Sequence, residues 1–185
     1  GSITNVYGGY TTSAGGKATG NEVTIEKTIS GAVVGGKALG EASGNTVTVK
    51  ANTGAVTGGE GATTNNNNVN LHGATVSGAV TGGTQASGTG NTLAVYYGTG
   101  TTSIGDFSGI QNLHFDLENA PTDGTAHTLL NLTSAAGEKS FSNINLDIHR
   151  SGATKKLRKG DTFTLVENTT AGGSVSIGDN VTAKG

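Results

Sequence analysis

Cysteine, methionine and tryptophan are absent from this sequence, and proline occurs once. Without cysteine there is no disulfide framework and no thiolate metal site. That suits a cytosolic chain. It also suits a polypeptide threaded unfolded through a narrow pore, where a preformed disulfide loop would jam. A single proline excludes collagen and polyproline linkers. Charge is scarce, at 13% of residues with a formal net of −2, so nothing electrostatic invites nucleic acid or an anionic membrane. The charge is also too low for disorder of the ordinary kind. No apolar run approaches the ~18 residues that a membrane-spanning helix needs. No signal-peptide pattern opens the chain. Gly1 and Ser2 read as a cloning scar, and the opening in mid-repeat at "ITNVYGGY" leads us to expect a piece of a larger protein.

What the sequence does have is glycine, 33 residues of 185, and a repeat. The phrase "GAVTGG" occurs at residues 54–59 and 78–83, "GAVVGG" at 31–36 and "NVYGGY" at 5–10. A second phrase alternates with it: "GNEVTIE", "GNTVTVK", "NNNVNLH" and "GNTLAVY". Its asparagines, Asn21, Asn45, Asn67 and Asn91, are spaced 24, 22 and 24 residues apart. The valines of the first phrase, Val6, Val33, Val56 and Val80, are spaced 27, 23 and 24 apart. Repetition at such a period outranks local propensity in deciding a fold.

Each unit is expected to hold two short strands. Val23, Val47, Val69 and Leu93 begin an apolar alternation that puts one face inward. A lone unit has three or four apolar side chains to bury, each contributing roughly 1.5–3 kcal/mol. Ordering its backbone costs about 1–2 kcal/mol for every residue, so units must stack to fold. The expected fold is all-β, a right-handed parallel β-helix of about 24 residues per coil with a C-terminal capping unit. The paired glycines (Gly8–Gly9, Gly35–Gly36, Gly58–Gly59, Gly82–Gly83) are expected at corners with positive φ. The asparagines are expected at left-handed corner positions, stacked as a hydrogen-bonded ladder.

Composition changes near residue 105. There are 24 glycines in the first 105 residues and 9 in the last 80, and four acidic residues before the boundary against nine after it. All four phenylalanines follow it. Residues 3–105 are therefore read as Gly/Thr/Asn-rich solenoid repeats, and 106–185 as larger coils and a cap, with room for one β-hairpin. A cap shields the open edge of a stack from further strand pairing.

Chemistry-bearing patterns are sparse. The four histidines lack metal-ligand spacing, no G-x-S-x-G elbow occurs, and no calcium-binding nonapeptide carries its required Asp. His114 and Asp116 share an outward face. Glu22 and Glu26 are not matched by acids one period on, as a β-helical polysaccharide lyase or hydrolase would require. No catalytic residue, metal or cofactor is expected. Arg150, Lys155, Lys156, Arg158 and Lys159 form a basic run that fits either acidic-ligand contact or a charged loop that keeps a sheet edge soluble.

The order "IGDFSGIQNLHFDL", "GTAHTLLNLT", "INLDI", "LRKGDTFTLVEN" after "VYGG…GNTVTV" repeats resembles the C-terminal passenger region of pertactin-like bacterial autotransporters. Leu113, Phe115 and Leu117 carry one phrase of that resemblance; Gly160, Asp161, Phe163 and Leu165 carry another. The resemblance implies a β-helical passenger on a bacterial outer surface or released from it, with residues 106–185 acting as an autochaperone-like cap. It implies partnership with an outer-membrane barrel of the full-length protein and with a host surface protein or glycan, or with itself. Two other readings stay open: a carbohydrate-active β-helix enzyme, and a self-associating module between cells.

Overall fold

Alternation decides the local structure. Wherever Val, Ile, Leu or Phe recurs at every second position between Gly- and Asn-rich turns, the chain is a short strand with one buried face. The computed structural model describes residues 3–98, 100–150, 152 and 155–177, and the backbone of 181–184. No helix occurs among the described residues. The scar assigned to residues 1–2 lies outside them.

The first three repeats give two strands each: β1 (Val6–Tyr10) and β2 (Glu22–Ile25), β3 (Val33–Lys37) and β4 (Thr46–Val49), β5 (Val56–Glu60) and β6 (Asn68–His72). Later repeats give three. They are β7 (Thr75–Val76), β8 (Val80–Gly83) and β9 (Thr92–Tyr96), then β10 (Thr102–Ile104), β11 (Phe107–Ser108) and β12 (Asn112–Asp116). Next come β13 (Ala126–Leu132), β14 (Glu138–Ser140) and β15 (Asn145–His149), and last β16 (Thr162–Asn168), β17 (Ser174–Ser176) and β18 (Val181–Lys184).

These strands form four sheets, in the orders β1-β3-β5-β8-β11, β2-β4-β6-β9-β12-β15-β18, β7-β10-β13-β16 and β14-β17. Every strand pair is parallel. The hairpin for which the second half left room is therefore absent from the described strands. Parallel neighbours need a long connection, and here each connection is one full repeat.

Register aligns like with like. Val6, Val33, Val56 and Val80 face one another in the five-stranded sheet. Val23, Val47, Val69, Leu93, Leu113 and Leu146 do so in the seven-stranded sheet. These columns and their neighbours build one continuous apolar core, which takes in Phe107, Phe115 and Phe141 in the second half. The separation between hydrogen-bonded asparagines is 22–24 residues as far as Asn91. It reaches 33 residues between Asn112 and Asn145, so the 24-residue period belongs to the first half alone.

Candidate functional site: the asparagine ladder and its surroundings

The asparagines Asn21, Asn45, Asn67 and Asn91 stand just before β2, β4, β6 and β9. The last three are fully buried, where an amide without partners would cost about 1–3 kcal/mol. Each finds them in the repeats on either side. The backbone N–H and side-chain Nδ2 of Asn21 both donate to Oδ1 of Asn45, at 3.0 and 2.7 Å. Asn45 donates in the same way to Asn67, at 3.0 and 3.1 Å, and Asn67 to Asn91 at the same distances. Asn67 Nδ2 also reaches the Ala42 carbonyl, and Asn91 Nδ2 the Thr64 carbonyl. The ladder has a direction, with donors pointing toward the C-terminus. It closes where Gln111 Oε1 accepts the Asn91 N–H at 3.0 Å.

The paired glycines do not sit at corners, as their sequence suggested. They lie inside β1, β3, β5 and β8, and none has positive φ. Their role is space. A Cβ on Gly9, Gly36 or Gly59 would stand 2.6 Å from the side-chain nitrogen of Asn21, Asn45 or Asn67 respectively. A Cβ on Gly8, Gly35 or Gly58 would stand 2.4–2.5 Å from the carbonyl oxygen of the glycine one repeat later. The two recurring phrases are thus halves of one device: the G-G strand gives the room that the asparagine ladder fills.

The left-handed position is also shifted from expectation. It belongs to the residue before each ladder asparagine: Gly20, Gly44, Asn66 and Gly90, with φ of 66°, 67°, 55° and 70°. Asn66, in the third repeat, is the non-glycine residue type that tolerates this region best.

On the outer face of the seven-stranded sheet, aligned positions read Glu22, Thr46, Asn68, Thr92, Asn112, Asn145. No two carboxylates face each other along that column. His72 and Tyr96 stack with centroids 4.4 Å apart and planes 4° from parallel. Burial lowers the pKa of His72, Lys50 lowers it further, and Asp116 opposes both. His114 does not pair with Asp116. Its Nδ1 lies 2.8 Å from Asp147 Oδ2 on the next strand, while Asp116 accepts the Glu118 N–H. Opposite charges on aligned repeats form Lys17–Glu41, Lys37–Glu60 and Lys50–Glu26 pairs. Sequence reasoning missed these, although matching periods with opposite signs would have revealed them. Among the described residues no group of three His, Cys, Asp or Glu side chains is arranged to hold a metal.

In the second half, Leu113 and Phe115 are fully buried and Leu117 nearly so. Phe163 and Leu165 are half-buried on β16. They border an open cavity of about 310 Å³ shared with Phe141, Leu146 and Val175. Asp161 fastens two loops: its Oδ1 accepts the Gly124 N–H at 2.7 Å and its Oδ2 accepts the Arg158 N–H. Gly160 beside it has φ +100°. Asp123 accepts bonds from His127 Nε2 and from the hydroxyl and N–H of Thr125. The His127 bond is the largest cause holding its carboxyl well below the usual carboxylate range. Lys155, Lys156, Arg158 and Lys159 are exposed, and Arg150 turns back onto the Lys155 carbonyl.

No protein-family model matches this chain, and no curated protein or solved structure is significantly similar to it.

Proposed function

We propose that the chain is a right-handed parallel β-helix serving as a non-catalytic surface rod. It is a segment of a bacterial autotransporter passenger, with residues 3–105 as stalk and 106–185 as a capping, folding-nucleus unit. The observation that carries this reading is the run of aligned columns: like residues face like across successive repeats in the sheets, with the asparagine ladder beside them. Each full-repeat parallel connection counts as a crossover, and crossovers of this kind are overwhelmingly right-handed.

The chemistry supports a scaffold. Conserving a column from coil to coil spends the sequence on stacking, while the outward column changes residue type at nearly every step. Binding, on this reading, spreads over Thr, Asn and Gly faces in many weak polar contacts with a host surface protein or glycan. The larger aromatic core of the second half supports the folding-nucleus role, since it offers the most apolar burial in the fewest coils.

Two measurements test the proposal. Small-angle scattering with sedimentation is expected to give an elongated monomer; a compact particle would contradict the rod. Removing residues 106–185 is expected to slow refolding of the repeats by tenfold or more, and unchanged refolding would remove the folding-nucleus assignment.

A further inference from the structure

The asparagine ladder is closed at one end and open at the other. Asn91 donates to Gln111, and the next aligned position beyond Gln111 is Ile144, one residue before the Asn112–Asn145 pair. At the first repeat, Asn21 gives both its donors to Asn45. Its own Oδ1, the atom that in Asn45, Asn67 and Asn91 accepts two bonds from the preceding repeat, accepts none among the described residues. The amide of Glu22 is in the same state. Its aligned counterparts Thr46, Asn68 and Thr92 donate to the Asn21, Asn45 and Asn67 carbonyls of the repeat before. Further along the same repeat lies an open groove of about 710 Å³ lined by Ile3, Val6, Ile25 and Ile29, with Glu26 and Lys27 also bordering it. The interface that recurs between repeats throughout the first half thus continues, unpaired, onto the N-terminal face.

We propose that this face is a directional docking surface for one further coil of the same phrase, and that it rejects a second copy of this chain. The occupant must bring an asparagine whose N–H and Nδ2 both point at Asn21 Oδ1. It must also bring a V-x-G-G strand, because only paired glycines leave room for a ladder asparagine beside them. A second copy meets neither demand. Head to head, two Asn21 oxygens would face each other, acceptor against acceptor. Head to tail, the far coils bring no V-x-G-G strand, the last being Val80–Gly83, and the ladder column is already broken at Ile144, which carries no side-chain donor. The inference rests on the stacked-coil reading above, though not on its assignment to a bacterial surface.

The test is a fusion that places a duplicate of residues 30–52 directly ahead of Ile3. That spacing sets the duplicated Val33 23 residues before Val6, the native Val33-to-Val56 interval. Hydrogen exchange is then followed at Glu22, with Thr46 and Asn68 as internal controls. The expected result is a tenfold or greater slowing at Glu22. The same fusion with Asn45→Ala in the duplicate is expected to give less than a threefold slowing. No slowing with the intact duplicate overturns the proposal. Equal slowing with the alanine duplicate overturns its specificity. Slowing at Glu22 in the unfused chain as concentration rises would make a second copy the occupant and overturn it as well. Fast exchange at Thr46 and Asn68 in every protein would instead sink the stacked-coil reading beneath it.

Discussion

The two halves of the molecule solve the same stacking problem with different materials. From β1 to β9 the core is built mainly of valines with a few isoleucines and leucines, and the repeats approach closely enough that glycine is required where strand passes asparagine. From β10 to β18 the ladder is gone, the repeats lengthen, and Phe107, Phe115, Phe141 and a run of leucines fill the interior. The first half gains its specificity from buried amides that accept only one alignment, since slipping a repeat by a single residue would strand them. The second half gains stability from large side chains and tolerates irregular spacing. A ladder demands a fixed period; a packed aromatic core does not.

Substitutions can break this contrast in order of severity. The greatest effect is expected for Gly59→Ala, whose Cβ would lie 2.1 Å from the Ala42 carbonyl oxygen, with backbone rather than a flexible side chain as the obstacle. Loss of about 4 kcal/mol or more in denaturant unfolding, or failure to fold, is expected. In the second half, Phe115→Ala should cost about 3–5 kcal/mol through the cavity it leaves. Next, Asn67→Ala should cost about 2–3 kcal/mol, because it strands both donors of Asn45 and removes the side-chain bonds to Asn91 Oδ1 and the Ala42 carbonyl, leaving Asn91 Oδ1 only the backbone N–H of residue 67. The exposed counterpart Asn145→Ala removes a single surface bond to Asn112 and should cost less than about 1 kcal/mol.

A gentler comparison separates the left-handed corner from the ladder. Gly44→Ala is expected to cost about 1 kcal/mol by thermal unfolding. Gly44→Asn should cost less, since Asn66 already occupies the equivalent position at φ 55°. Reversal of that order would mean that the corner is chosen for space and not for backbone conformation.

The smallest effect is pH-dependent and confined to the face of the seven-stranded sheet. Burial places the pKa of His72 below its ordinary 6.5. The unfolded chain therefore binds more protons just below that pH, so stability is complete above it and falls as pH drops toward the folded value. His72→Gln should flatten this part of the profile of melting temperature against pH. A steeper profile in the variant would contradict the assigned direction.

Much of the first half was legible because its period is written in residues with opposite preferences. The Val–x–Val alternation can only bury one face, and the asparagine two residues ahead of it follows a glycine three times out of four. What could not be read was which glycine did what. Gly35–Gly36 and Gly44 look alike in a sequence, yet the pair is extended strand beneath a ladder and the single residue is a left-handed turn. The need for Gly36 is set by Asn45, nine residues on, and appears only when the two strands are brought together. The third sheet was hidden for a similar reason. Thr75–Val76 and Thr102–Ile104 are too short to show a periodicity of their own; they are strands because they pair with each other and Thr102–Ile104 pairs with the longer β13. The His114–Asp147 contact was equally out of reach, because the repeat length changes between them.

The central claim is that buried columns and an amide ladder run from repeat to repeat in one register. Solution NMR of the chain with labelled methyl groups and labelled asparagine side chains tests it most directly. The account predicts methyl contacts from Val47 to Val69 and from Val69 to Leu93, with Asn45 and Asn67 side-chain amide protons that exchange far more slowly than those of Asn145. Freely exchanging amides at Asn45 and Asn67, together with no contact between Val69 and either neighbour, would contradict it.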